Sequence, residues 1–236
     1  AEPILLGDSE HIDEEAIVEA DPDVILALYS GLTREQYDDL SRYAPVIAPP
    51  AEYDDYGIPW QEQTRTIGDV LGKPDEARRL VADAEALIAE AAADHADLDG
   101  ATTVVASAAE GVYVYSPQAA VSRVLEGLGL VVPEDLADLI GEDFGAEVSL
   151  EQIDLVDLDV VLWLDAADDR PPFTVDAYTS LPMSTEGREV RLATTGALAG
   201  GSFISVLSLP VILDQLVPML TAAVDGDPAT EVPDEV

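Results

Sequence analysis

Hydrophobic and polar positions along the chain fall into two kinds of pattern. Short apolar runs have the length and continuity of strands covered on both faces: Pro3–Gly7, Asp23–Leu28 (DVILAL), Pro45–Ala48, Thr103–Ser107 and Asp159–Leu164 (DVVLWL). Between them lie stretches whose apolar residues recur at three- and four-residue steps, the mark of a helix with one buried face. These are Asp13–Ala20, a Thr33-capped helix through Arg42, Trp60–Leu71, Ala119–Leu128 closed by Gly129, Ser149–Leu155, a short helix or turn at Asp176–Leu181, and Leu207–Ala223. Val112–Tyr115 reads as a strand and a hairpin partner for Thr103–Ser107, and Glu189–Leu192 as the last strand. Alternation of this kind predicts an α/β fold with parallel-sheet cores.

One helix stands apart. Lys73–Leu98 opens on Gly72, Lys73 and Pro74, where proline suits a first turn, and Asp75 and Glu76 complement the helix dipole. Ala77, Leu80, Val81, Ala84, Leu87, Ile88, Ala91 and Leu98 form its apolar face, and Gly100 is the expected stop. At 1.5 Å per residue it would span roughly 35 Å.

The pattern before this helix returns after it. Asp13–Leu28 (DEEAIVEADPDVILAL) aligns without a gap on Ser149–Leu164 (SLEQIDLVDLDVVLWL). Identical pairs are Glu15/Glu151, Ile17/Ile153, Asp21/Asp157, Asp23/Asp159, Val24/Val160, Leu26/Leu162 and Leu28/Leu164. Strand composition explains the aliphatic matches but not the placed acids, so a helix-then-strand unit is repeated. The expected organisation is an N-terminal α/β lobe at 1–72, a connecting helix at 73–99, a C-terminal α/β lobe at 100–224 and an acidic, mobile tail at 225–236. Two lobes on one connector leave a cleft, a preferred place for a ligand.

Charge narrows the function. The 236 residues carry 49 Asp and Glu against 10 Lys and Arg, a net charge of −39, and Lys73 is the only lysine. Such a field repels phosphate backbones and anionic membranes, so nucleic acid is excluded as a partner. The acids are spread along the chain, which favours adaptation of the surface to high salt over one acidic patch for a cationic partner. Without cysteine there are no disulfides and no thiolate ligands. The chain opens on AEPILLG with no signal segment, so localisation is not legible from these residues.

In parallel sheets, ligands sit beyond the carboxyl ends of the strands. That directs attention to the loops Tyr29–Thr33, Ala51–Trp60, Tyr115–Gln118, Glu142–Val148, Asp165–Phe173 and Thr195–Ser205. Aromatic residues make up 6% of the chain. Yet Tyr29, Tyr53, Tyr56, Trp60, Tyr115, Phe144, Phe173 and Phe203 all fall in or beside these loops, which suits a large, partly apolar ligand. Catalysis has no comparable support. His11 and His95 are the only histidines, and no nucleophile elbow, phosphate loop, dinucleotide fingerprint or histidine metal motif occurs. Asp54/Asp55 and Asp168/Asp169 are read as solvated surface. No catalytic residue and no protein metal site is assigned.

Four stretches resemble the solute-binding proteins of ABC importers for ferric siderophores. DEEAIVEADPDVILAL is similar to a segment of that family's first lobe, and PWQEQTRTIGDVLGKPDEA at Pro59–Ala77 to the lead into its connector. VSLEQIDLVDLDVVLWL is similar to its second-lobe segment, and SLPMSTEGREVRL with Ser202–Pro218 to its closing strand and helix. The resemblance implies two Rossmann-like lobes joined by a single long α-helix with little hinge motion. It also implies a monomer that captures a ferric siderophore outside the cell, as a cell-surface lipoprotein or in the periplasm, and delivers it to permease subunits. Iron would be carried inside the ligand, with no cofactor. The ligand contacts implied by position are Tyr29, Ser30, Gly31, Phe144, Ser202 and Phe203, to which Tyr56, Trp60, Tyr115 and Arg170 are added from the loop reading. Glu35 and Glu151 are the implied permease contacts, with Glu15 the alternative to Glu35 as repeat partner of Glu151. The family's first strand–helix unit and lipidated cysteine have no counterpart here, so a trimmed chain or a reduced first lobe is expected. Few basic residues lie in the loops, which favours a hydroxamate chelate over an anionic catecholate or citrate one. Cobalamin or haem on the same fold, or an acidic α/β enzyme or sensor module, are the alternatives.

Overall fold

A computed structural model describes residues 12–108, 111–164, 166, 172–192 and 204–233. The chain divides into two compact units, Ala1–Ile58 and Pro59–Val236.

In the first unit, α1 (Glu14–Ala20) starts at Asp13, whose carboxylate accepts from the Ala16 amide at 3.0 Å, and it stops at Asp21 in the left-handed region, φ 45°. Strand β1 (Ile25–Leu26) pairs in parallel with β2 (Val46–Ile47), Ile25 opposite Val46. Between them, α2 (Arg34–Leu40) begins with a full capping box. The Thr33 hydroxyl accepts from the Gln36 amide, and the Gln36 side chain accepts from the Thr33 amide at 2.9 Å. Ile17, Leu40 and Val46 form the core, with Ile12, Ile25, Ala27, Leu32 and Tyr37 packed against it. The run Asp23–Leu28 is thus a shorter strand than its pattern predicts, and Leu26 is 43% exposed. Among the described residues β2 is its one pairing partner, so the ladder fixes only the stretch that β2 can reach. The expected strand Pro3–Gly7 lies outside the described residues.

The second unit is built on a five-stranded sheet ordered β5-β4-β3-β6-β7. Strands β3 (Thr103–Ser107), β6 (Val160–Leu164) and β7 (Glu189–Arg191) are parallel, with Val105 opposite Leu162 and Leu162 opposite Val190. Every residue of β3 and β6 is buried, as continuous apolar strands require. Strand β4 (Val112–Tyr115) returns antiparallel to β3, the expected hairpin, and β5 (Gly145–Val148) runs antiparallel to β4. The sheet is therefore mixed and not wholly parallel. The stretch Glu142–Val148, expected as a loop, contributes this edge strand because β4 offers it a free ladder. Helix α6 (Glu134–Ile140) was also not predicted: it starts after Pro133, places Glu134 and Asp135 in its first turn, and buries Leu136 and Ile140 one turn apart.

A reciprocal clamp joins the two central strands at their start. The Asp159 carboxylate accepts from the Thr102 amide at 2.8 Å and its hydroxyl at 2.7 Å, while that hydroxyl accepts from the Asp159 amide at 3.0 Å. These bonds, the backbone one foremost, hold the Asp159 carboxyl below the ordinary carboxylate range. Asp157 accepts from the Met183 amide at 2.8 Å. The placed acids of the sequence repeat thus act here as joints ahead of β6. The element before them, Leu150–Val156, is a kinked 3₁₀ helix where the first copy is the α-helix α1.

Helix α3 (Trp60–Val70) and helix α4 (Pro74–Asp94) pack on one another, and α4 also packs on α5 (Ala120–Gly127) and α9 (Leu209–Val224). Gly68 makes the α3–α4 contact possible, since a Cβ there would fall inside the radius of Ala77 Cβ. Ala77, Val81, Ala84 and Ile88 are the buried face of α4, as the periodicity predicts, while Leu87 turns outward. The helix ends at Asp94, before the expected stop, and Leu98 is buried beyond it. Both α3 and α4 belong to the second of the two compact units. Short helices α7 (Asp176–Thr179) and α8 (Pro182–Thr185) precede β7. The acidic tail is folded at its start: Asp225 accepts from the Thr230 hydroxyl at 2.7 Å and the Asp227 amide at 2.8 Å.

Candidate ligand-binding surfaces

In the first unit, the residues that follow β1 gather as the sequence suggests. The Ser30 hydroxyl donates to the Ala27 carbonyl at 2.7 Å and ties the loop back to its strand. Tyr29 and Tyr56 meet edge to face, ring centroids 5.5 Å apart at 69°. Gly31 faces the same corner, where a Cβ would stand 3.2 Å from an Asp55 carboxylate oxygen and 3.3 Å from the Tyr56 ring. Tyr56 itself sits at φ 60°, a conformation costly to a bulky side chain, in a turn closed by the Gly57 amide donating to Asp54 at 2.9 Å. Tyr29, Ser30, Gly31 and Tyr56 thus form one half-buried aromatic corner.

In the second unit, Tyr115 and Phe144 are also brought together, 5.8 Å apart at 86°, and the Ser116 amide donates to the Phe144 carbonyl at 2.8 Å. Tyr113, which the loop-based reading missed, extends the set: its ring lies 5.1 Å from that of Tyr115 at 79°. A cavity of about 480 Å³ lies against this hairpin face, lined among others by Ser107, Tyr113, Tyr115, Glu147 and Gln152. The period-two alternation of VYVY contains the signal for Tyr113, because Val112 and Val114 are buried and the tyrosines take the other face.

The expected contact Trp60 and the loop aromatic Phe173 are both buried. Trp60 is 2% exposed, so its ring packs into the interior at the start of α3 and offers no surface to a ligand. Phe173 is buried too, in a cluster of mutually perpendicular rings with Trp163 and Tyr178. Position beside a loop does not fix the direction of a ring, and both rings gain more by burial. Arg170, Ser202 and Phe203 lie outside the described residues. Glu35 and Glu151 are exposed and occupy matching places, each in the first turn of a helix, after Thr33 and Ser149 respectively. Glu15 is exposed in the first turn of α1. Among the described residues no group of three or more His, Asp or Glu is arranged to hold a metal ion, and no helix is long and apolar enough to cross a membrane.

A repeated helix–strand unit, a mixed α/β sheet and two aromatic surfaces define an α/β binding protein. Residues 1–176 match the family described as periplasmic binding protein, and the chain belongs to that family. PiaA from Streptococcus pneumoniae TIGR4, solved in complex with ferrichrome, is similar with a TM-score of 0.79 and 25% identity, over 90% of this chain and 73% of that one. A periplasmic solute binding protein from Mycobacterium smegmatis gives 0.73 and 25%, over 90% and 73%. FhuD2 from Staphylococcus aureus, with bound ferrioxamine B, shares the fold at 0.73 and 19% identity, over 89% and 80%. Comparison with curated proteins returns no match.

Proposed function

We propose that the protein is an extracytoplasmic solute-binding protein that captures a ferric siderophore of hydroxamate type and delivers it to an ABC permease. The observation that carries this reading is the likeness to PiaA, whose structure holds ferrichrome, over 90% of this chain. Two features of the chain support it. The Tyr29–Tyr56 corner and the Tyr113–Tyr115–Phe144 face offer wide, stiff, amphipathic contact area. Among the described residues, none that lines the hairpin cavity is a Lys or Arg, so a highly anionic chelate would find no partner among them. In this reading Tyr29, Ser30, Gly31, Tyr56, Tyr115 and Phe144 contact the ligand, joined by Arg170, Ser202 and Phe203. Glu35 and Glu151 meet the permease as exposed carboxylates at matching helix starts. Iron arrives inside the chelate, and the protein contributes no iron ligand.

Titration by intrinsic fluorescence quenching tests the reading. Ferrichrome and ferrioxamine B are expected to bind, and Tyr115→Ala and Tyr56→Ala are each expected to weaken binding about tenfold or more, the loss of one aromatic anchor. Tighter binding of a ferric catecholate than of either hydroxamate would sink the assignment of ligand class. Absence of binding to all three would sink the siderophore reading itself.

A further inference from the structure

The β4–β5 hairpin carries more than contact area. Directly across its ladder Tyr113 is paired with Glu147, and Tyr115 with Gly145. Gly145 has no side chain, and the Tyr113 ring takes its place: a Cβ there would stand 2.6 Å from Tyr113 Cε1. Tyr113 is thereby laid along the sheet face, near perpendicular to Tyr115, which is in turn near perpendicular to Phe144. The cavity of about 480 Å³ over this face has Tyr113, Tyr115 and Glu147 in its wall, with the neutral polar groups of Ser107, Ser149 and Gln152 completing the polar part.

Crossed aromatic faces with a carboxylate at their edge attract organic cations twice over. The ring quadrupoles present negative faces, and the carboxylate supplies a full counter-charge. The Tyr113 phenol is pushed up by burial first, and then by the carboxylates of Asp143 and Glu147, so the field of both acids reaches the ring. Among the described residues of the lining none is a Lys or Arg to compete for that field. A neutral ligand gains nothing from it, and an anion is repelled.

We propose that Glu147, with the rings of Tyr113 and Tyr115, holds an ammonium group of the bound chelate, so that the protein selects cationic ferric siderophores over neutral and anionic ones. The inference rests on the siderophore reading above, and it assigns Glu147 and Tyr113 a role in specificity. Ferrioxamine B and its N-acetyl derivative make the test, because they share every iron-binding group and differ by one positive charge. Affinities of the purified protein for both are measured by fluorescence quenching, in the wild type and in Glu147→Gln, with ferrichrome as the neutral reference. Acetylation is expected to weaken binding to the wild type by about fivefold to thirtyfold, the range for a cation held by aromatic faces and a partly solvated carboxylate. In Glu147→Gln the two forms should bind within about threefold of each other, at the affinity that the wild type shows for the acetylated form. Equal binding of both forms by the wild type overturns the inference and leaves the siderophore reading standing, as does unchanged discrimination in Glu147→Gln. Failure of ferrichrome and both ferrioxamines to bind overturns both.

Discussion

Replacing Asp159 with alanine tests the joint between the two central strands of the larger sheet. The substitution removes the acceptor for the Thr102 amide and for its hydroxyl, and keeps the bond from the Asp159 amide to that hydroxyl. A hydrogen bond to a charged group contributes about 1.5–3 kcal/mol when fully buried, and this carboxylate is partly solvated, so about 1 kcal/mol for each of the two bonds is the better figure. The expected loss is thus about 2 kcal/mol. For a chain of this size that lowers Tm by about 4–8 °C, and with a urea slope near 2–3 kcal/mol/M it moves the midpoint down by about 0.7–1 M. Urea unfolding followed by far-ultraviolet circular dichroism measures the shift, and the slope should not change. The sign of the pH dependence follows from the lowered folded-state value. A carboxyl depressed by folding contributes fully above its ordinary range and loses that contribution as pH falls through the folded value. The gap between wild type and Asp159→Ala should therefore be constant from pH 7 to about 5 and close as pH falls below about 4. Equal midpoints at pH 7, or a gap undiminished at pH 3, would refute the clamp as a stabilising element.

Substitutions at three further positions have definite expectations. Thr103 is 2% exposed and Ser122 5%, and their hydroxyls are buried without a protein partner against a cavity of about 260 Å³. Thr103→Val should raise the urea midpoint, by up to about 1–3 kcal/mol in stability, and a lowered midpoint would show that water in the cavity satisfies the hydroxyl. Gly68→Ala should destabilise by about 1–3 kcal/mol in thermal unfolding although alanine is the better helix former by about 1 kcal/mol, because its Cβ must displace Ala77. A variant as stable as the wild type would mean that α3 moves off α4 without cost. Glu85→Pro, at an exposed position inside α4, should cost about 3 kcal/mol or more, and Glu85→Ala almost nothing. A proline variant that melts at the wild-type temperature would mean that α4 contributes little to the fold.

Elements with strong local signals were legible in the sequence. Strands β3 and β4 and the core of β6 follow from continuous or alternating apolar runs, and the cap at Thr33 follows from a side chain that can reach an amide three residues on. What escaped depends on neighbours distant in sequence. Strand β5 contains Gly145 and one buried residue, so only β4 makes it a strand. The packing of α3 on α4 escaped because Gly68, read alone, is a helix-weakening residue, and its use appears only when Ala77 is beside it. Of the candidate surfaces, the Tyr29–Tyr56 pairing was legible as two aromatic loops. The inward turns of Trp60 and Phe173 were not, since exposure is decided by the packing around a residue. Tyr113 was available in principle, but attention to strand ends passed over a residue on a strand's face.

The burial of both tryptophans has a practical outcome. Trp60 and Trp163 are 2% and 0% exposed, so both emitters are sealed from solvent. A small collisional quencher such as acrylamide then dims the folded protein little and the unfolded chain strongly. A ferric chelate on the proposed tyrosine faces would lie outside that seal and act through space, by resonance transfer into its absorption band. One sample thus reports two independent quantities. Collisional quenching measures how much of the protein is open, and transfer quenching measures how much of it is occupied. A binding-site variant that loses the second signal while keeping its resistance to the first has lost its ligand and not its fold.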